Sequence, residues 1–125
     1  MLMGAGLEFI KLARKVLVVD DDPLVLDITV SMLEDIGCEV VAASNAKEAL
    51  EKLSDDQQID ILMTDINMPG MDGYELANAA LQRHARLKII VLSGREDDGH
   101  GLPLIRKPFN REDLRKTMLR HTHLC

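Results

Sequence analysis

Two stretches, Val16-Leu17-Val18-Val19-Asp20-Asp21-Asp22-Pro23 and Ile59-Asp60-Ile61-Leu62-Met63-Thr64-Asp65, decide how this chain folds. Each runs apolar and then stops on carboxylates. Short, largely unbroken apolar runs of this kind are strands buried on both faces, as in parallel sheets covered by helices. Strands that lie side by side in the same sense bring their terminal acids to one edge. Several anionic oxygens within a few ångströms repel one another strongly. Such a cluster is tolerable when it is protonated or holds a cation. The reading points to hard-metal and phosphate chemistry around Asp65, which is followed by Ile66-Asn67-Met68-Pro69-Gly70-Met71-Asp72-Gly73.

Working outward, the chain alternates strand and helix. Lys15–Val19 is the first strand. Asp22 before Pro23 reads as a capping acid with proline at the first helical position. Leu24, Ile28, Met32 and Ile36 keep helical spacing until Gly37 stops the helix. Cys38–Ala43 is the second strand. Asn45-Ala46-Lys47-Glu48 has the form of a capping box opening a helix that runs to about Leu53. Ile59–Thr64 is the third strand, and Asp72 or Gly73 opens a third helix with Leu76, Ala80 and Leu81 inward. Lys88–Ser93 and the short Leu102–Arg106 are strands four and five. Asn110 caps a last helix whose Leu114 and Met118, with Leu119 or His121, face the core. This alternation implies an α/β fold, a parallel sheet with helices on both faces. Ligands of such sheets sit beyond the carboxyl ends of the strands. Asp20–Asp22, Asp65, Ser93 and Lys107 all fall at those ends.

At 125 residues, 46% hydrophobic and 29% charged, the chain has the size and balance of one soluble domain. Aromatics make up 2% and tryptophan is missing, so Leu, Ile, Val, Met and Ala must build the core. A net charge of −6 argues against nucleic-acid binding through a basic footprint. Cys38 and Cys125 are far apart and unlike a metal motif, which suits a reducing, cytosolic compartment. No apolar run approaches the roughly 18 residues of a membrane span. Residues 1–14 lack the apolar centre of a signal peptide and read as an extension ahead of a domain at 15–125. His84, His100, His121 and His123 are scattered, and His121–Cys125 reads as a frayed tail rather than a metal site.

Four stretches, in order and at strand ends, now stand together: Val16–Pro23, Thr64–Gly73, Val91-Leu92-Ser93-Gly94 and Arg106-Lys107-Pro108-Phe109. They resemble the receiver domain of two-component response regulators, from about Lys15 to the last helix. The resemblance implies a flavodoxin-like, doubly wound five-stranded parallel sheet of order 2-1-3-4-5. It implies that Asp65 accepts a phosphoryl group from a histidine kinase, a phosphotransfer protein or a small phosphodonor. It implies Mg²⁺ (or Mn²⁺), held by Asp21 and Asp65 directly, by Asp20 through water, and by the Asn67 backbone carbonyl. Lys107 would offset charge on the transferring oxygens, where catalysis is mainly positioning and electrostatics. The Ser93 hydroxyl would donate to a phosphoryl oxygen and draw its loop inward. Lys107-Pro108 would be cis, an isomer that proline makes accessible. The protein implied is bacterial and cytoplasmic, with an output partner of unspecified kind. It touches neither membrane nor nucleic acid, and is no conventional enzyme, catalysing only its own phosphorylation and dephosphorylation. Asp22 is read as a cap, and Asn67 and Arg95 as flanking the path of a hydrolytic water.

Two departures from that pattern stand out. Eight residues, Gly94–Gly101, separate strands four and five, where the family places a full helix. Extended, they reach about 27 Å, enough to return along a strand of roughly 17 Å as a loop. The fourth helix of the family is therefore expected to be absent or about one turn. Leu104 also stands where the family usually carries Tyr or Phe, so the signal is expected to leave by ordering of Gly94–Gly101. Two rival readings remain. A dehalogenase-like phosphatase would need an acid two residues after Asp65, and Asn67 cannot serve as one. A degenerate receiver acting as a docking module would not need Asp20, Asp21, Asp65, Ser93 and Lys107 together.

Overall fold

Unbroken apolar stretches can be buried on both faces only in the middle of a layered sheet, and that is where they lie. The structure, a computed structural model, describes residues 14–94 and 99–122. Strands β1 (Lys15–Val19), β2 (Glu39–Ala43), β3 (Ile61–Asp65), β4 (Lys88–Ser93) and β5 (Leu104–Arg106) form one sheet in the order β2-β1-β3-β4-β5. Every pairing is parallel. This is the flavodoxin-like arrangement expected, and every described residue of β1 but Lys15 and every residue of β3 is buried.

Side chains alternate between faces along each strand. Leu17, Val19, Leu62, Ile89 and Val91 face one way, against α2 (Ala46–Asp55) and α3 (Gly73–Arg83) through Ala49, Leu53, Leu76 and Ala80. Val16, Val18, Ile61, Met63, Ile90 and Leu92 face the other, against Leu33 of α1 (Pro23–Asp35) and Leu114 and Met118 of α4 (Arg111–Thr122). Helix starts follow their caps. Asp22 accepts from the Leu24 and Val25 amides ahead of Pro23. Asp72 and Glu75 make a reciprocal capping box, as do Asn110 and Asp113.

Several local expectations shift. Strand two begins at Glu39, strand three runs Ile61–Asp65, and strand five is Leu104–Arg106. Leu24 and Ile28 are 68% and 46% exposed, because α1 packs through Thr29 and Leu33, one position round the helix. Thr29 can be buried because its hydroxyl donates to the Val25 carbonyl at 2.8 Å. The Asn45 cap holds the Glu48 amide, but the Glu48 carboxylate turns to the Ser44 amide and hydroxyl, so that box is only half formed. Leu119 is 37% exposed while Leu114 and Met118 are inward.

The β4–β5 crossover shows one 3-10 turn, Gly99–Gly101, among its described residues, as its length required. His100 sits there at φ 48° between Gly99 and Gly101, both at positive φ. The Lys107-Pro108 bond is cis. Residues 1–13, 95–98 and 123–125 and the side chains of His121 and Thr122 fall outside the described residues, and with them the readings made of Arg95, the tail and all of the extension but Arg14. Among the described residues no helix is long and apolar enough to cross a membrane.

Candidate functional site

The carboxyl ends of β1, β3 and β4 converge because their registers do. Val19 pairs with Thr64, and Asp65 with Leu92, so Asp20, Asp65 and Ser93 end neighbouring strands at one level. Asp20 follows β1 and is 1% exposed, Asp65 ends β3 and is 7% exposed, and Asp21 is exposed. One carboxylate oxygen from each lies within 4.8 Å of the others.

Lys107 reaches into this cluster from the end of β5. Its Nζ donates to Asp20 Oδ2 at 3.0 Å and to Asp65 Oδ1 at 3.3 Å. The Lys107 amide donates to the Ser93 carbonyl at 2.8 Å, which fixes the lysine beside the end of β4. Asp20 Oδ1 also accepts the Asp22 amide at 3.0 Å, so its carboxylate is held at both oxygens. Burial pushes the Asp65 carboxyl above its ordinary value; Lys107 opposes this, while Asp20 and Asp21 add to it. Burial disfavours the Lys107 charge too, but its hydrogen bond to Asp20 and the attraction of Asp65 prevail, and its pKa is raised. The lysine therefore stays cationic.

Three carboxylates against one ammonium leave a formal charge of −2, the complement of one divalent cation. The donor set is all oxygen, which suits a hard ion such as Mg²⁺ that keeps several waters. The residues present fit such an ion.

The structure brings together Asp20, Asp21, Asp65 and Lys107 among the residues singled out from the sequence. Ser93 is buried at the adjoining strand end, and Asn67 is exposed two residues past Asp65. Asp22 is the helix cap. Two features had no local signal. Gly73 packs on the Asp65 backbone, where its amide donates to the Ile66 carbonyl at 2.8 Å. Tyr74, next to it, stacks on His100 with ring centroids 3.8 Å apart and planes 8° from parallel. A histidine read as scattered thus ties the crossover to α3.

Residues 16–119 match the family described as the response regulator receiver domain. A two-component response regulator of Arabidopsis thaliana is 35% identical over 108 residues, which cover 81% of this chain and 18% of that protein. The chain thus spans under a fifth of that relative's length. The chemotaxis protein CheY4 of Vibrio cholerae superposes with a TM-score of 0.81 at 32% identity, covering 87% of this chain and 98% of that one. The response regulator TrrA of Thermotoga maritima, solved in complex with Mg²⁺ and BeF, gives 0.77 at 29% identity, covering 86% and 97%.

Proposed function

This chain belongs to the response regulator receiver domain family, and from that premise we propose that Asp65 accepts a phosphoryl group from a histidine kinase or phosphotransfer protein in a Mg²⁺-dependent reaction. The observation that carries the reading is Lys107, whose ammonium bridges Asp20 and Asp65 inside a three-carboxylate cluster. An Asp65 oxygen attacks phosphorus as the bond from phosphorus to the donor's imidazole nitrogen breaks. The freed imidazole takes a proton from solvent. Lys107, already 3.3 Å from Asp65 Oδ1, moves its charge onto the incoming phosphoryl oxygens. Asp20 holds that lysine and the Asp22 amide, so it positions the cation as much as it binds metal. Mg²⁺, held by Asp20, Asp21, Asp65 and the Asn67 carbonyl, would neutralise charge on the transferring group. The Ser93 hydroxyl then donates a hydrogen bond to a phosphoryl oxygen, and the change passes into the crossover that starts at Gly94.

The test is intact mass after incubation with acetyl phosphate and Mg²⁺, for the wild type and Asp65→Ala. One added phosphoryl group in the wild type alone is expected. No gain, even from a phosphohistidine donor, would overturn the proposal. No gain together with no Mg²⁺ binding would leave a docking module.

A further inference from the structure

The opposite edge of the sheet carries a second, differently charged concavity. A cavity of about 420 Å³ opens at the amino-terminal ends of β1, β3 and β4. These ends are laced in line: the Asp60 amide donates to the Lys15 carbonyl at 2.9 Å, and the Lys88 amide to the Asp60 carbonyl at 3.0 Å. The far wall is the turn after α3, closed by the Leu87 amide on the His84 carbonyl at 3.1 Å. Arg14, Arg86 and Lys88 line the cavity against one acid, Asp60. That is a local excess of positive charge on a chain whose net charge is −6.

The charge is not consumed by the fold. Lys15, next door, is paired with Asp56 and Glu39. Asp60 Oδ2 already accepts the Lys15 amide at 3.1 Å and stands 4.0 Å from Arg14 Nη1. Among the described residues Arg86 and Lys88 have no ion-pair partner. The Arg14 side chain is 15% exposed, and its buried Nε has no hydrogen-bond acceptor. A buried guanidinium donor left unmatched calls for an explanation, and arginine forks match carboxylate and phosphate oxygens. Ile59 and Leu87, both largely buried, give the same cavity an apolar wall. Pockets of this volume take small organic ligands.

We propose that this cavity binds a small phosphate-bearing organic molecule, the phosphate on Arg14, Arg86 and Lys88 and the organic part against Ile59 and Leu87. The site lies at the end of the sheet away from Asp65 and does not depend on chemistry there. A turn of the Arg14 guanidinium away from Asp60 would satisfy its orphaned Nε on the ligand.

The test is an amide chemical-shift titration of the full chain in chelator, at fixed ionic strength, with adenosine 5′-monophosphate, inorganic phosphate and adenosine as probes. The chelator keeps metal from recruiting phosphate to the carboxylate cluster. Saturable shifts at residues 59–61 and 84–88, with none at 20–22 or 65, are expected from the monophosphate. Inorganic phosphate should bind about tenfold more weakly. Lys88→Gln, on an exposed side chain, should weaken the monophosphate about three- to tenfold with the spectrum otherwise unchanged. Arg14→Gln should weaken it further. No saturable shift up to about 10 mM, a range reached by weak small-molecule sites, overturns the site. So does unchanged affinity in Lys88→Gln, or adenosine binding as tightly as its monophosphate. Equal affinity for inorganic phosphate overturns the organic half of the assignment.

Discussion

Gly73 rests on the backbone of Asp65: a Cβ built at position 73 would stand 2.3 Å from the Asp65 carbonyl oxygen and 2.8 Å from the Ile66 Cα. The first turn of α3 is thereby pressed onto the strand end that carries the proposed phosphoacceptor. The Gly73 amide donates to the Ile66 carbonyl at 2.8 Å, and that bond requires the close approach.

Gly73→Ala is therefore expected to destabilise the domain although alanine is the better helix former. The obstacle is the Asp65–Ile66 backbone, so it cannot rotate away. Overpacking of this kind costs about 1–3 kcal/mol, and the upper end is expected here. Urea denaturation measures it, and a loss under about 0.5 kcal/mol, the ordinary scatter of surface substitutions, would show that α3 can slide.

Asp65→Asn should raise the melting temperature of the metal-free domain at neutral pH. Burial, Asp20 and Asp21 push the Asp65 carboxyl above its ordinary value of 3.8 despite Lys107. The folded state then binds a proton more tightly than the unfolded chain. Ionised Asp65 costs stability above its raised folded value, and the cost fades as pH falls toward 3.8. An increase of about 2–5 °C at pH 7 is expected, shrinking as the pH is lowered. A lower melting temperature for Asp65→Asn at pH 7 would show that Lys107 outweighs the repulsion.

Much of this was legible because burial on both faces leaves a plain trace. Val16–Val19 and Ile61–Met63 are continuous apolar runs, and the acids stand where the runs stop. The shortness of the crossover, ten residues between Ser93 and Leu104 rather than the eight counted from the sequence, was legible from reach alone. The packed face of α1 was legible only in part: Met32 and Ile36 of the expected stripe do pack on the core, but Leu24 and Ile28 are exposed and the fully buried pair is Thr29 and Leu33. Periodicity gives a helix without saying which of two adjacent stripes meets the sheet, and a threonine bonded to its own helix breaks the hydrophobic count. The place of Lys107 at the strand ends was legible from topology and its role implied by family likeness, while its bridge between Asp20 and Asp65 was not expected. The Arg14–Asp60 floor and the Tyr74–His100 stack join residues distant in sequence, and no local pattern announces either.

Mg²⁺ should stabilise the wild type and fail to stabilise Asp21→Ala. Asp21 is the exposed member of the cluster, so its loss removes a proposed metal ligand without opening the core. At ten times the dissociation constant, binding to the folded state alone adds about 1.4 kcal/mol. Thermal melts in MgCl₂ and in NaCl of matched ionic strength separate binding from screening. Equal shifts in the two salts would remove the metal from the account.

The stack of Tyr74 on His100 should hold the crossover in place, and the chain supplies its own probe. Tyr74 is the single tyrosine and there is no tryptophan, so intrinsic emission reports one ring. His100 also sits at φ 48°, where a residue with a Cβ costs about 1–2 kcal/mol relative to glycine. His100→Ala loses the ring contact, worth about 0.5–1.5 kcal/mol, and keeps the backbone cost. His100→Gly loses the contact but relieves the backbone, so it should be the more stable of the two variants. Both should change Tyr74 emission alike, because both remove the ring above it. If His100→Ala proves as stable as His100→Gly, the left-handed turn at 99–101 is not held in solution. If emission does not change in either, Tyr74 and His100 are not stacked there.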